Sequence, residues 1–308
     1  MRIGFALPQH GEAAGPEGVI TIAKRAEALG FDSLWVWERL IAPVSPRAPY
    51  PMGDGTHPAV FRSVLDPLET LTFVAGHTKR VTLGTSILVL PLYNPVLLAR
   101  RLTTLDVLSS GRLRVGLGVG WLSDEFEAVG VPWGERGKRA DEALQILKAI
   151  WTTDPVEFHG TYYQVPRSYI GPKPVQKPHP PIYMGAFVPA AMARIAREAN
   201  GWTPVGVPLA AVPEMFRTIK AMARDCGRNA DALELVVRAN VVFAERPLGA
   251  DRSDYHGTLE QIAEDVAKTR AAGATEMFFD PWMAHPKVNS VEDWLTRMEQ
   301  LWKIAKAA

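Results

Sequence analysis

The 308-residue sequence is poor in several features, and each shortage excludes something. It has one cysteine, Cys226, so no internal disulfide can form. That thiol falls near the end of a helical pattern and reads as inert. No apolar run approaches the roughly 18 residues of a membrane span. The first such run, residues 3–7, is too short for a signal peptide and is followed by Gln9 and His10. A soluble, cytoplasmic protein is the expectation. Excess charge is missing too. A formal net charge of +1 offers no basic surface for nucleic acid. His159, His179, His256 and His285 lack metal-ligand spacing, so no metal is expected. Between Phe158 and Arg197 there is no acidic residue, although Arg167, Lys173, Lys177 and Arg194 lie there. Such a stretch can draw in an anion. It can equally be a solvated face.

What is present is an alternation of short apolar runs with helical patterns. Strands are predicted at 3–7, 33–37, 81–88, 113–119, 182–185, 201–204, 235–243 and 275–279. Helices are predicted at 17–29, 67–76, 94–110, 135–151, 189–199, 211–225, 258–272 and 290–305. Gly30 and Gly111 stop two of them. Asn94-Pro95 opens another, with asparagine as N-cap and proline at the first helical position. Ser290 with Asp293 resembles a capping box. Strand–helix alternation implies parallel pairing, and eight units imply a closed (β/α)8 barrel. No domain boundary is visible, so residues 1–308 read as one domain. Residues 152–181 form an insertion between strands 4 and 5, with a hairpin around His159-Gly160. The segment 40–66 is the other long connection.

In such a barrel the strands end at the reactive face. Trp35-Val36-Trp37-Glu38-Arg39 ends the second strand. Glu38 can hydrogen-bond a ligand or relay a proton. Arg39 cannot act as a base; it binds an anion, or pairs with Glu38 at the rim. His10, after the first strand, faces a ligand or is a structural hydrogen-bonder. Arg238 and Asn240 share one face of a strand and need partners if that face is interior. Gly185-Ala186-Phe187 joins a strand to a helix, a turn whose amides and dipole suit a phosphate; a tight turn that binds nothing has the same look. The semi-apolar 40–66 loop, with Pro43, Tyr50, Met52 and Phe61, suits a hydrophobic organic substrate.

The most distinctive stretch is Leu113-Arg114-Val115-Gly116-Leu117-Gly118-Val119-Gly120-Trp121-Leu122-Ser123-Asp124-Glu125-Phe126. With it come Gly84-Thr85-Ser86-Ile87-Leu88, Tyr93-Asn94-Pro95, Pro178 to Ala186, and Asn200-Gly201-Trp202-Thr203-Pro204. This ordered set resembles the luciferase-like monooxygenase superfamily, and within it the branch of oxidoreductases that use the deazaflavin coenzyme F420. The resemblance spans nearly the whole chain. It implies a non-prolyl cis peptide at Ser86-Ile87, a bulge behind the cofactor's central ring. It implies that Gly118, Val119, Gly120 and Trp121 lie near that ring, and that Gly185, Ala186 and Phe187 hold its phosphate. The implied activity is hydride transfer between F420 and a small organic molecule. A reduced-FMN monooxygenase served by a flavin reductase is the alternative, and a non-catalytic flavin-binding barrel a second one. A homodimer is expected. Two departures stand out. Relatives often have histidine where Arg39 stands, and sugar-phosphate dehydrogenases have glutamate where Trp121 stands. Their acid–base pair is not carried over.

Overall fold

The computed structural model describes residues 1–307. Eight parallel strands close a barrel: β1 (Arg2–Ala6), β2 (Ser33–Val36), β3 (Thr82–Thr85), β4 (Leu113–Gly118), β5 (Ile182–Met184), β6 (Gly201–Trp202), β7 (Glu234–Asn240) and β8 (Glu276–Asp280). β8 lies between β7 and β1, and β3 pairs with β4, so no edge is left open. Helices cover the outside: α1 (Pro16–Leu29), α2 (Pro67–Ala75), α3 (Pro95–Leu108), α4 (Ser123–Ala128), α5 (Arg136–Thr152), α6 (Pro189–Glu198), α7 (Val212–Asp225), α8 (Leu259–Ala271) and α9 (Val291–Ala307). Among the described residues none is long and apolar enough to cross a membrane.

Local signals set the helix ends. Gly30 adopts φ 102° after α1, where a side chain would be strained. The Asn94 side chain accepts from the amides of Val96 and Leu97. Ser290 and Asp293 form the reciprocal cap at α9, the shorter acid still reaching the Ser290 amide at 3.0 Å. α4 was not foreseen from sequence; it is a single short run after the glycines.

Two predicted strands are divided. The 81–88 run breaks at Ser86-Ile87, which is joined by a cis peptide. Residues 88–89 then resume pairing with Leu117 and Gly118. The 235–243 run leaves the barrel at Val241, and residues 242–243 pair with 256–257. Between α5 and β5, residues 156–159 and 164–168 form the antiparallel hairpin.

Alternation along each strand separates two cores. Ile3, Phe5, Leu34, Leu83, Val115 and Leu117 pack outward against helices. Ala6, Trp35, Tyr183, Val236 and Phe278 fill the barrel itself, with Trp35 stacked on Phe278 at 4.7 Å. Gly84 admits that indole, since a Cβ there would lie 2.4 Å from it. Below this layer sits a charged base. Glu276 accepts from Arg2 (2.9 Å), Ser33 (2.6 Å), Trp35 (3.1 Å) and Arg114; Glu234 accepts from Arg2 (2.7 Å), Arg114 (2.6 Å) and Tyr183 (2.8 Å). The reactive end is therefore the opposite one.

Candidate active site

The strand ends converge on a mouth with one wall at Ser86-Ile87. The glycines of β4 face that wall. A Cβ on Gly116 would lie 1.8 Å from the Thr85 carbonyl oxygen, and one on Gly118 2.6 Å from Ile87 Cδ1. Gly120 has φ 77° and would strike Phe126 and Val89 at 2.7 Å. Here the missing Cβ atoms admit protein: they seat the bulge. Thr85 locks it to β4, since its hydroxyl donates to the Gly116 carbonyl and accepts from the Gly116 amide, both at 2.9 Å. Val119 packs at the edge of the core.

The floor carries charge. Arg238 Nη1 donates to the Ser86 carbonyl at 3.0 Å, and Nη2 lies 2.7 Å from Asp280 Oδ2. Burial pushes the Asp280 carboxyl above the ordinary carboxylate range, against the pull of Arg238. Asn240 accepts from the Trp282 indole at 3.0 Å. Ser86 Oγ, Thr203 Oγ1 and Arg238 Nε are buried without a partner.

Two strands round the barrel from the wall, beyond β4, is the β5–α6 turn. The Gly185 amide is engaged by the Leu117 carbonyl at 3.2 Å. Its Cβ position is open: the nearest atom is the Thr203 carbonyl oxygen at 3.6 Å. Ala186 is buried and Phe187 is 69% exposed. Three cations of the acid-free segment serve the fold. Arg194 pairs with Asp141 at 2.7 Å, Lys173 with Asp154 at 2.8 Å, and Lys177 with the Pro174 carbonyl at 3.0 Å. The anion-attracting reading of that segment loses these donors.

The catalytic candidates separate. Glu38 does not pair with Arg39. It accepts from the Val89 amide at 2.6 Å and from the Tyr93 hydroxyl, bracing the segment that follows the bulge. Burial raises its pKa to about 7, helped by the nearby Glu125 and Asp66 carboxylates. Arg39 pairs instead with Glu125 at 2.8 Å, and the same carboxylate holds the Leu40 amide. Its guanidinium lies between Phe61 (4.6 Å) and Trp121 (5.0 Å). Trp121 thus belongs to the mouth's aromatic wall rather than the main core. His10 is 2% exposed and neither ring nitrogen has a partner. Burial, with His285 beside it, lowers its pKa to about 4, so it is neutral near pH 7.

The 40–66 loop forms a roof. Phe61 stacks on Trp282 at 5.7 Å and meets Trp37 edge-on at 5.8 Å; Tyr50 meets Trp121 at 5.5 Å. Gln9 fastens the roof, binding the Trp37 backbone (2.6 and 2.8 Å) and the Leu65 carbonyl (2.9 Å). Sequence reasoning missed Trp37, Tyr93, Thr203, Asp280 and Trp282 as site residues. Period two from Trp35, and the Asp-Pro-Trp that ends β8, were the signals that could have found Trp37, Asp280 and Trp282.

Glu38 yields a pH prediction. Its folded pKa lies above its unfolded value, so the folded chain holds the proton more tightly. Its contribution is therefore complete below the ordinary carboxylate range and is lost as pH rises toward about 7. Melting curves across that window should show Glu38→Gln with a flatter pH dependence than the parent. Parallel profiles would contradict the assignment.

An all-parallel (β/α)8 barrel with a buried polar floor and an aromatic roof at the strand ends has the layout of a small-molecule site at the reactive face of such barrels. The family described as luciferase-like monooxygenase matches residues 1–255. An uncharacterised protein of Mycobacterium tuberculosis (strain ATCC 25618 / H37Rv) is 35% identical over 262 residues, 83% of this chain and 84% of that one. An F420-dependent glucose-6-phosphate dehydrogenase of Amycolatopsis mediterranei is 32% identical over 66% of this chain and 56% of its own. An FMNH2-dependent dimethylsulfone monooxygenase of Pseudomonas putida is 34% identical over 49% of this chain and 41% of its own. The fold matches the monooxygenase RslO1 of Streptomyces bottropensis with a TM-score of 0.79 at 21% identity, covering 100% and 99% of the two chains. The chain belongs to the luciferase-like monooxygenase family and is an oxidoreductase of that kind.

Proposed function

We propose that the chain holds coenzyme F420 in this mouth and passes a hydride between it and a small, apolar organic molecule. The observation that carries the reading is a set of buried, unpartnered polar atoms at the strand ends: Ser86 Oγ and Arg238 Nε at the bulge, and Thr203 Oγ1 on the residue whose carbonyl borders the open Gly185 position. Buried polar atoms without partners are costly, and a polar-edged ring would satisfy them. The turn at Ala186 and Phe187, ahead of α6, is suited to the cofactor's phosphate. When bound, the coenzyme supplies the carbon that donates or accepts the hydride. The chain's own residues do the rest. Ile87 supports one ring face. Trp37, Phe61, Trp282 and Tyr50 exclude water and orient an apolar substrate. Glu38 holds or releases a proton near neutrality. Arg39, fixed by Glu125, positions the roof and is not a proton carrier. His10, neutral and sealed, is an orienting group behind Trp37.

The F420-dependent relative, which aligns over more of this chain than the FMNH2-dependent one, supports F420. FMN is the second reading, favoured by the absence of the F420 dehydrogenases' histidine at Arg39 and glutamate at Trp121; a partner reductase would then supply reduced flavin. A homodimer belongs to either version. Fluorescence titration with each cofactor separates them: tight F420 and weak FMN binding is the expected result. Gly185→Val should weaken F420 binding by about tenfold or more while leaving the melting temperature unchanged, because its Cβ enters open space in the protein and not in the complex. Failure of the parent to bind either cofactor, or unaltered affinity in Gly185→Val, overturns this reading.

A further inference from the structure

Arg238 and Asp280 are charged groups placed where the barrel needs none. Asp280 is 1% exposed and the Arg238 side chain 10%. Burying both charges is expensive, and an apolar pair of similar volume would serve packing as well or better. The pair is also incomplete: Arg238 Nε has no partner, and Asp280 Oδ2 has only the charge of Arg238 near it. It lies beyond the Trp35–Phe278 layer, against the Ser86 carbonyl of the wall, within electrostatic reach of the roof residue Tyr50. The other charge pair at this end, Arg39 with Glu125, also leaves its guanidinium Nε without a partner, but its carboxylate accepts a second hydrogen bond, from the Leu40 amide, and its cation lies over Phe61 and Trp121.

We propose that Arg238 and Asp280 are positioning residues whose combined charge sets how much more tightly the mouth holds the reduced than the oxidised cofactor ring. This rests on the cofactor reading above. In hydride transfer a C–H bond of the donor breaks, and its electron pair leaves with the hydrogen to form a C–H bond on the ring. The donor is oxidised, the ring is reduced, and the ring gains one unit of negative charge until a proton follows. A fixed, buried ion pair at the wall against which the ring would lie would feel that unit strongly. Arg238 favours the reduced ring and Asp280 disfavours it. Together they hold the mouth near neutral.

Opposite changes to the two residues should then act in opposite directions. The experiment compares the parent with Asp280→Asn, Arg238→Met and the double variant. Dissociation constants for oxidised and for chemically reduced F420, or FMN if that is what binds, are measured by anaerobic titration. Asp280→Asn should shift the ratio toward the reduced form by about tenfold. Arg238→Met should shift it the other way, more at alkaline than at acid pH, because the unpaired Asp280 carboxyl can then take up a proton. The double variant should return near the parent ratio. If Arg238→Met does not fold, Asp280→Asn against the double variant still reads the charge. Shifts of the same sign, or ratios unchanged while binding persists, overturn the proposal alone. A parent that binds neither cofactor in either redox state overturns the cofactor reading and this proposal with it.

Discussion

Alanine at Gly116 should destabilise the protein by about 3 kcal/mol or more. The added Cβ would sit 1.8 Å from the Thr85 carbonyl oxygen. That obstacle is backbone, so no rotamer change removes it. The same two residues exchange the 2.9 Å hydrogen bonds that seat the bulge, so any shift also breaks these. Relief must come from moving β3 against β4, at the pairing that closes the barrel. For a chain of 308 residues each kcal/mol lowers the melting temperature by roughly 1.5 °C, so a drop of about 5 °C or more is expected. Thermal melts check it, and a midpoint within about 2 °C of the parent would contradict the close approach. Gly185→Val is the counterpart, with the reverse signature: stability retained and cofactor affinity lost.

Glu276→Ala should cost about 3–5 kcal/mol, far from the mouth. At the base Arg2 and Arg114 balance Glu234 and Glu276. Removing Glu276 leaves Arg114, 7% exposed, with half its compensation, and takes the acceptor from Ser33. The Glu276 carboxylate and Arg114 are buried, so added salt should not restore the loss. Urea unfolding gives the number. A cost below about 1 kcal/mol would mean that water or Glu234 takes over the role of Glu276. Cofactor affinity at the protein's working temperature should be little changed, since the Trp35–Phe278 layer separates the base from the mouth.

The glycines show how far the sequence could be read. That Gly116, Gly118 and Gly120 mark an intimate backbone approach was legible, because only glycine omits the Cβ. Which partner approaches was not. The structure shows Thr85, Ile87, Phe126 and Val89 in that space. The same holds for Arg39. Its inability to act as a base follows from its chemistry, but its partner is Glu125, 86 residues on, rather than its neighbour Glu38. Arg238 and Asn240 were legible as an inward polar pair needing partners. Asp280 and Trp282 became their partners only because β8 lies beside β7.

The alternation of strands and helices, and the caps at Gly30, Asn94 and Ser290, are legible in the sequence alone. These depend on contacts within a few residues and on the 2.0 and 3.6 periodicities, so they are written locally. Barrel closure alone makes Glu38 brace Val89 and Tyr93, turns Arg194 and Lys173 of the acid-free segment toward Asp141 and Asp154, and lays the 40–66 loop over the mouth. These contacts join positions tens to hundreds of residues apart. Barrel closure brings them together, and desolvation inside it then selects which charges must pair.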